Sequence, residues 1–329
     1  MYAEISRDRF SPGLFGEIRP GPHKLLKRFL SAAFTVGYVD QLSDLFGECI
    51  AKLVSRYDNL FRETRVMDNE QIVVIDLMKD LHTVALDMDK PGESRPDLLQ
   101  HLVNEGNRPD NGQRMTTRDI IDQMSELLLA GSETTSGTIA CLFLELVRNP
   151  EVKEKLLATL PVLSPNDPIV DGKFVRSDPT FLYLNACIKE ALRLHPIASE
   201  MGRQTGKDWV SLMGYNLPPN TVVSASYRHL HRDPDFWNEP LRFWPERWMT
   251  EDKRNGAPDP DLQAYYPFSA GKHSCIGVNF AWSEMRMVAA NLLSRYDFIE
   301  VPGQAVDYRQ YITMQFKTGS WKVSIKPRY

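Results

Sequence analysis

The stretch "YYPFSAGKHSCIGVNFAW", Tyr265 to Trp282, holds one cysteine, Cys275, in a loop bracketed by Gly271 and Gly277 that runs into an apolar, helix-like segment. The other cysteines, Cys49, Cys141 and Cys187, are scattered along the chain, and no CxxC pair suggests zinc. Taken alone, a free cysteine is most often a small buried hydrophobe. The other reading is a thiolate ligand, which needs a cation, N–H donors or a helix N-terminus beside it. Glycines let backbone N–H groups approach the sulfur, and the following helix would point its positive end there.

Composition sets the frame around that loop. The chain has 329 residues, 42% hydrophobic and 25% charged, which is ordinary for a soluble globular protein. A net charge of −4 and a pI near 6.0 argue against nucleic acid as a bulk partner. Spread cysteines without a disulfide framework fit a reducing compartment. No apolar run approaches the ~20 residues of a membrane-spanning helix. The start, "MYAEISRDRFSPG", lacks the apolar core of a signal peptide.

The first two-thirds reads mostly helical. Apolar residues fall at helical spacing in 22–35 and 38–61, and 71–87 reads as a helix whose start has strand character. The longest element is 116–150, capped by Thr116 or Thr117, ended at Asn149-Pro150, and apolar on most faces. A further helix covers 181–196. After it, 208–226 predicts a hairpin around its Gly and Pro-Pro-Asn region. Residues 231–248 form a proline- and aromatic-rich meander, 279–296 a helix, and 311–329 strands. One mainly helical domain with small sheets, residues 1–329, is the economical reading.

A lone thiolate holds neither zinc nor an iron–sulfur cluster, but it can hold haem iron, because the porphyrin supplies four ligands. The run "FSAGKHSCIG" resembles the haem-binding signature of the cytochrome P450 superfamily: Phe268, Gly271, Cys275 and Gly277 match, with Cys275 as axial iron ligand. His273 stands where that family usually has arginine. In "KEALRLHP", Glu190 and Arg193 share a helix face, in isolation no more than a surface ion pair. The sequence is similar to the family's Glu-x-x-Arg helix, which implies a buried pair locked to Arg247 of "FWPERW" as scaffold. "AGSETT" places Gly131, Glu133 and Thr134 in the long helix, where glycine costs about 1 kcal/mol against alanine. The blander reading is a kink with a solvated Glu133. The resemblance makes it the oxygen-binding groove, with Glu133 and Thr134 as proton-delivering catalytic residues. His23 and Lys27, one helical turn apart, and Arg203 resemble family cations that contact haem propionates, although lysine replaces the expected arginine. "PIASE" (196–200) and "TMQFKTG" (313–319) fall where family members contact substrate.

The resemblance implies haem b (iron protoporphyrin IX), O2, and electrons from NADPH through a separate NADPH–cytochrome P450 reductase docking near Lys272. It implies oxidation of a small apolar molecule, of the kind found in secondary metabolism, by a eukaryotic, fungal-like enzyme. Relatives are usually held in the endoplasmic reticulum membrane by an anchor, and no such segment occurs here. The resemblance begins just before His23, so the family's N-terminal region and most of its first sheet are missing. A second gap falls near Asp87 to Glu93, where the family carries the F–G helices that roof the substrate pocket. The fold expected is therefore an incomplete cytochrome P450 fold, and the alternative function is an inactive haem-binding remnant. A truncated gene model or splice form would explain both gaps better than a new fold.

Overall fold

The computed structural model describes residues 13–17, 19–68, 72–89, 98–108, 112–310 and 313–329; the side chains of 65–68, 89 and 98 are not described. Helices α1 (Pro20–Leu30), α2 (Val36–Gln41) and α3 (Ser43–Asp68) lead to strand β1 (Val73–Asp76) and helix α4 (Leu77–Asp89). Then follow α5 (Leu98–Glu105), α6 (Thr117–Arg148), α7 (Pro150–Thr159), α8 (Gly172–Ser177) and α9 (Leu182–Leu194). The texture then changes to β2 (Glu200–Gln204), β3 (Val210–Leu212), β4 (Tyr215–Leu217), β5 (Val222–Ser226) and the short α10 (Tyr227–Leu230). The chain closes with α11 (Val278–Arg295), β6 (Tyr296–Glu300), β7 (Tyr308–Gln310), β8 (Met314–Phe316) and β9 (Lys322–Pro327).

The expected 116–150 helix is α6. A capping box starts it: Thr116 Oγ1 accepts the Asp119 N–H, and the Asp119 carboxylate accepts the Thr116 N–H. It ends at Asn149 because Pro150 disfavours a helical residue before it and opens α7 instead. Its second half is buried nearly all round, from Thr135 to Leu144, so α6 runs through the core. It is also long and apolar enough to cross a membrane by composition, a length the reading of continuous apolar runs missed. Packing against α4, α9, α11 and β6 makes it a core helix of this fold instead. Phe143 meets Phe298 edge to face at 4.7 Å, one of several aromatic pairs joining the helices to the sheet β1–β9–β6.

The expected 208–226 hairpin is only partly right. Met213 and Gly214, both at positive φ, turn β3 straight back into β4, as a two-residue hairpin requires. That satisfies β3 at once. The turn at Pro218–Asn220 then returns the chain so that β5 pairs antiparallel with β2, Val223 opposite Arg203. Four short helices, α5, α7, α8 and α10, were not read from sequence.

Between α4 and α5 lie residues 90–97, outside the described residues, and most of the expected gap at Asp87 to Glu93 falls on them. Eight residues span at most about 27 Å fully extended. Ile121 and Leu129 on α6 are exposed, at 51% and 42%.

Candidate functional site

The Cys275 loop is shaped by its own backbone. Cys275 N–H donates to the Phe268 carbonyl at 2.8 Å, closing the loop on itself. Ser269 and Gly271 take left-handed φ of 58° and 69°, and at Gly271 the conformation itself favours glycine. Gly277 works by closeness: a Cβ there would lie 3.9 Å from Cys275 Sγ. The Cys275 side chain is open to solvent, yet the surrounding chain is dense enough to raise its thiol above the ordinary value. Burial causes that rise, and the Gly277 N–H and the Lys27 charge oppose it. Phe268 packs beside the loop, 6.4 Å from Trp282 of α11.

A buried ionic network joins α9 to the 238–248 segment. Glu190 and Arg193 on α9 are paired through two bonds of 2.8 and 2.9 Å, both fully buried. Arg247 reaches Glu190 at 3.3 Å, and Trp244 N–H and Trp248 Nε1 complete the acceptors of that carboxylate. The remaining Arg193 donors go to the carbonyls of His231, Pro240 and Arg242, and those of Arg247 to Asn238 and Glu239. Charges buried at this depth are tolerated because nearly every donor and acceptor is matched. Burial lowers the Arg247 pKa, with Glu190 opposing.

Sequence reasoning missed His231. Its buried ring accepts the Tyr266 N–H on Nε2 at 2.8 Å and donates from Nδ1 to the Arg193 carbonyl at 3.2 Å. It therefore couples the ion-pair helix to the start of the cysteine loop. Burial pushes its pKa down to about 4, so the ring is neutral. A histidine inside the proline-aromatic meander was the available signal.

Basic groups gather on the α1 side of the loop. Lys27 Nζ donates to the carbonyls of Lys272 and Ser274 at 2.9 and 2.6 Å. The rings of His23 and His273 lie 4.7 Å apart. Burial lowers both imidazole pKa values. Neighbouring cations lower them further: His273 and Lys27 act on His23, and Arg203, Lys27 and Lys272 act on His273. Arg203 sits on β2 and its guanidinium donates to the neighbouring Gly202 carbonyl at 2.8 Å.

On α6, Thr134 Oγ1 donates to the Ala130 carbonyl at 2.7 Å. Glu133 is held from the opposite side: its carboxylate accepts from Thr313 Oγ1 at 2.8 Å, and its carbonyl accepts from Gln315 Nε2 at 2.7 Å. Met314 N–H donates to Ile197 O at 2.8 Å, so 196–200 and 313–319 meet beside α6. Gly137, also missed, permits this approach: a Cβ there would lie 3.1 Å from Gln315 Nε2 and 3.3 Å from Ile197 Cδ1.

Comparisons with known proteins place the chain in a family. The sequence model of the cytochrome P450 family matches residues 38–323. A protein named cytochrome P450 monooxygenase FUS8, from Gibberella fujikuroi, is 37% identical over 71% of this chain and 45% of its own length. Cyclooctat-9-en-7-ol 5-monooxygenase from Streptomyces melanosporofaciens is 32% identical over 65% of this chain and 44% of its own. The chain thus spans less than half the length of these curated relatives. The crystal structure of the cytochrome P450DA heme domain superposes with a TM-score of 0.73 over 92% of this chain and 77% of that one, at 19% identity. By the family match across most of its length and by its fold, this chain belongs to the cytochrome P450 family.

Proposed function

We propose that the chain is the body of a haem-thiolate monooxygenase that oxidises a small apolar molecule, as in secondary metabolism, with O2 and electrons from NADPH through a separate reductase. The observation that carries this reading is the pairing of one accessible thiol, Cys275, with the cations Lys27, Arg203 and Lys272 and the imidazoles of His23 and His273 on one side of its loop. That donor set fits iron protoporphyrin IX, with Cys275 taking the iron and the cations its propionates. Haem b, when bound, would supply O2 binding and activation, with the cysteinate favouring O–O cleavage.

The chain's own residues would do the rest. The surrounding chain favours the protonated Cys275 thiol, which the Gly277 N–H and the Lys27 charge oppose, and haem iron, when bound, would favour the thiolate. Phe268, Gly271 and Gly277 hold the sulfur's surroundings, and Glu190, Arg193 and Arg247 keep the loop in place. The Thr134 hydroxyl spends its proton on Ala130 and offers free lone pairs. Releasing that bond costs on the order of 1 kcal/mol, so the hydroxyl can turn outward and pass a proton supplied through Glu133. Lys272, exposed beside the loop, fits the acidic face of a reductase.

A second reading is a non-catalytic haem-binding remnant. The eight residues between α4 and α5 and the exposed Ile121 and Leu129 favour it, because an uncovered site admits water and would lose reducing equivalents as peroxide. One experiment separates the two: record the reduced carbon-monoxide spectrum of this chain, then measure product formed per NADPH consumed. Thiolate-type absorption with coupled product supports the enzyme. The same absorption with peroxide and no product supports the remnant, and absence of haem sinks both.

A further inference from the structure

Glu145 on α6, His195 at the exit of α9 and Tyr308 on β7 meet in one hydrogen-bonded run. Pro196 ends α9 at Leu194, so His195 leaves the helix with φ −128° and ψ 63°, and its ring is buried, at 6% exposure. Nε2 lies 2.6 Å from Glu145 Oε1, and Nδ1 lies 3.3 Å from the Tyr308 hydroxyl. That hydroxyl lies 3.9 Å from Cys141 Sγ. Asn149 Nδ2 donates to the second Glu145 oxygen at 3.1 Å. Arg232 donates to the Leu194 carbonyl at 2.9 Å, and Arg228 adds a second positive charge near the imidazole. Burial lowers the His195 pKa; the Glu145 bond and charge oppose it, and Arg232 and Arg228 lower it further. Burial also raises the Tyr308 phenol and pushes the Cys141 thiol up to about 12. The bond directions follow. A carboxylate only accepts, so Nε2 carries the proton, and a neutral ring then offers Nδ1 as acceptor to the Tyr308 hydroxyl. The Cys141 thiol is left to donate to the phenol oxygen.

This run continues to Glu133. Tyr308 opens β7, which pairs antiparallel with β8, Tyr308 opposite Phe316 and Gln310 opposite Met314. Thr313 donates to the Glu133 carboxylate at 2.8 Å and Gln315 to its carbonyl at 2.7 Å. Two residues past His195, the Ile197 carbonyl accepts the Met314 N–H at 2.8 Å. Twelve positions separate Glu133 from Glu145, about 18 Å along α6. The β7–β8 pair is thus tied to α6 at two distant points, and His195 supplies one of them.

We propose that His195 is a positioning residue: by joining Glu145 to Tyr308 it sets where the β7–β8 pair lies along α6, and thereby how Thr313 and Gln315 hold Glu133. A histidine suits the place because its neutral ring donates at one edge and accepts at the other, bridging a carboxylate and a phenol in one rigid step. Hydrogen bonds weaken steeply once misaligned, so a small slide of the pair is felt at Glu133. The consequence for proton delivery rests on the monooxygenase reading above, while the clasp itself does not.

The test uses the full chain and reads the clasp without haem. Tyr308→Phe removes one hydroxyl and keeps the ring that packs 5.4 Å from Phe316. Hydrogen–deuterium exchange of the Met314 amide should speed about fivefold or more, the factor for one hydrogen bond of ordinary strength, while the β9 amides keep their protection. His195→Ala should exceed this, and Tyr308→Phe carries the test if that variant does not fold. Glu145→Ala should act as Tyr308→Phe does, and Glu145→Gln, which keeps an acceptor for Nε2, should restore part of the protection. The carboxyl carbon-13 resonance of Glu133, assigned with Glu133→Gln, should move in Tyr308→Phe and in Glu145→Ala, although Glu145 stands about 18 Å away along the helix. Loaded with haem and supplied with NADPH and reductase, Tyr308→Phe should consume NADPH at least about threefold more slowly, as Glu133→Gln should, with the carbon-monoxide spectrum unaltered. Unchanged Met314 exchange in Tyr308→Phe and Glu145→Ala, or equal acceleration in β9, overturns the clasp. Faster Met314 exchange with a stationary Glu133 resonance overturns the positioning of Glu133. A moved resonance with NADPH consumption unchanged, or with no haem taken up, overturns the link to proton delivery and leaves the positioning standing.

Discussion

His231 accepts the backbone N–H of Tyr266 on a ring nitrogen that can do so only while unprotonated. Protonating it turns an acceptor into a donor aimed at another donor. Its folded-state pKa of about 4 lies below the ordinary 6.5, so the folded protein resists a proton that the unfolded chain takes up readily. Stability from this group is complete above about pH 6.5 and declines as pH falls toward 4, by up to about 3 kcal/mol. Urea denaturation between pH 7 and 4.5 checks it. His231→Gln should be less stable at pH 7 and should flatten the pH dependence across that window; an equally steep curve assigns the acid sensitivity elsewhere.

Removing the Glu190 carboxylate leaves Arg193 and Arg247 buried without their shared partner. Glu190→Ala should cost about 3–5 kcal/mol, the range for breaking a buried pair. The readout is soluble yield and the denaturation midpoint. Glu190→Gln should fall between, because the amide keeps one acceptor but loses the charge.

Cys275→Ser should leave the fold unchanged, since the side chain is exposed and its loop is closed by the backbone bond to Phe268. Under the proposed function it should abolish the thiolate-type carbon-monoxide absorption while circular dichroism stays unaltered. Retention of that absorption would assign the iron ligand to another residue.

Lys27→Met removes the donors that clasp Lys272 O and Ser274 O. Faster amide exchange over 272–275 and a melting point lower by about 2 °C are expected, because one partly exposed interaction of about 1 kcal/mol is lost from a large domain. Lys27→Arg should restore the clasp only in part, since its planar fork does not reproduce a compact ammonium.

Gly137→Val inserts methyl groups where Gln315 and Ile197 already approach the Cβ position. Strand β8 should be displaced from α6 at about 1–3 kcal/mol, and the Gln315 bond to the Glu133 carbonyl lost. Thermal denaturation measures the cost. A stability matching the unsubstituted chain would show that β8 rides freely over the helix.

Local chemistry made much of this protein readable. The capping threonine and Asn149-Pro150 marked the ends of α6 because caps and proline act within one turn of chain. The start of 71–87 split into β1 and α4, matching its mixed β-branched and helical texture. The β2–β5 pairing was hidden, because a strand's partner depends on which edge is left free once the Met213-Gly214 turn has paired β3 with β4. His231 was hidden for a related reason: it stands 38 residues from the Arg193 carbonyl it contacts, and nothing in its neighbourhood names that partner.

The sequence by itself determined the family, the spacing of Phe268, Gly271, Cys275 and Gly277, and the shortness of the connection after α4, since each is a matter of residue identity along the chain. Only the tertiary structure decided which groups the loop rests on. Burial of Glu190 between two arginines, neutrality of His231 and the gathering of Lys27, Arg203, Lys272 and two imidazoles around one thiol all arise from residues far apart in sequence. Their energies depend on solvent exclusion and on distances that exist only once the helices have packed.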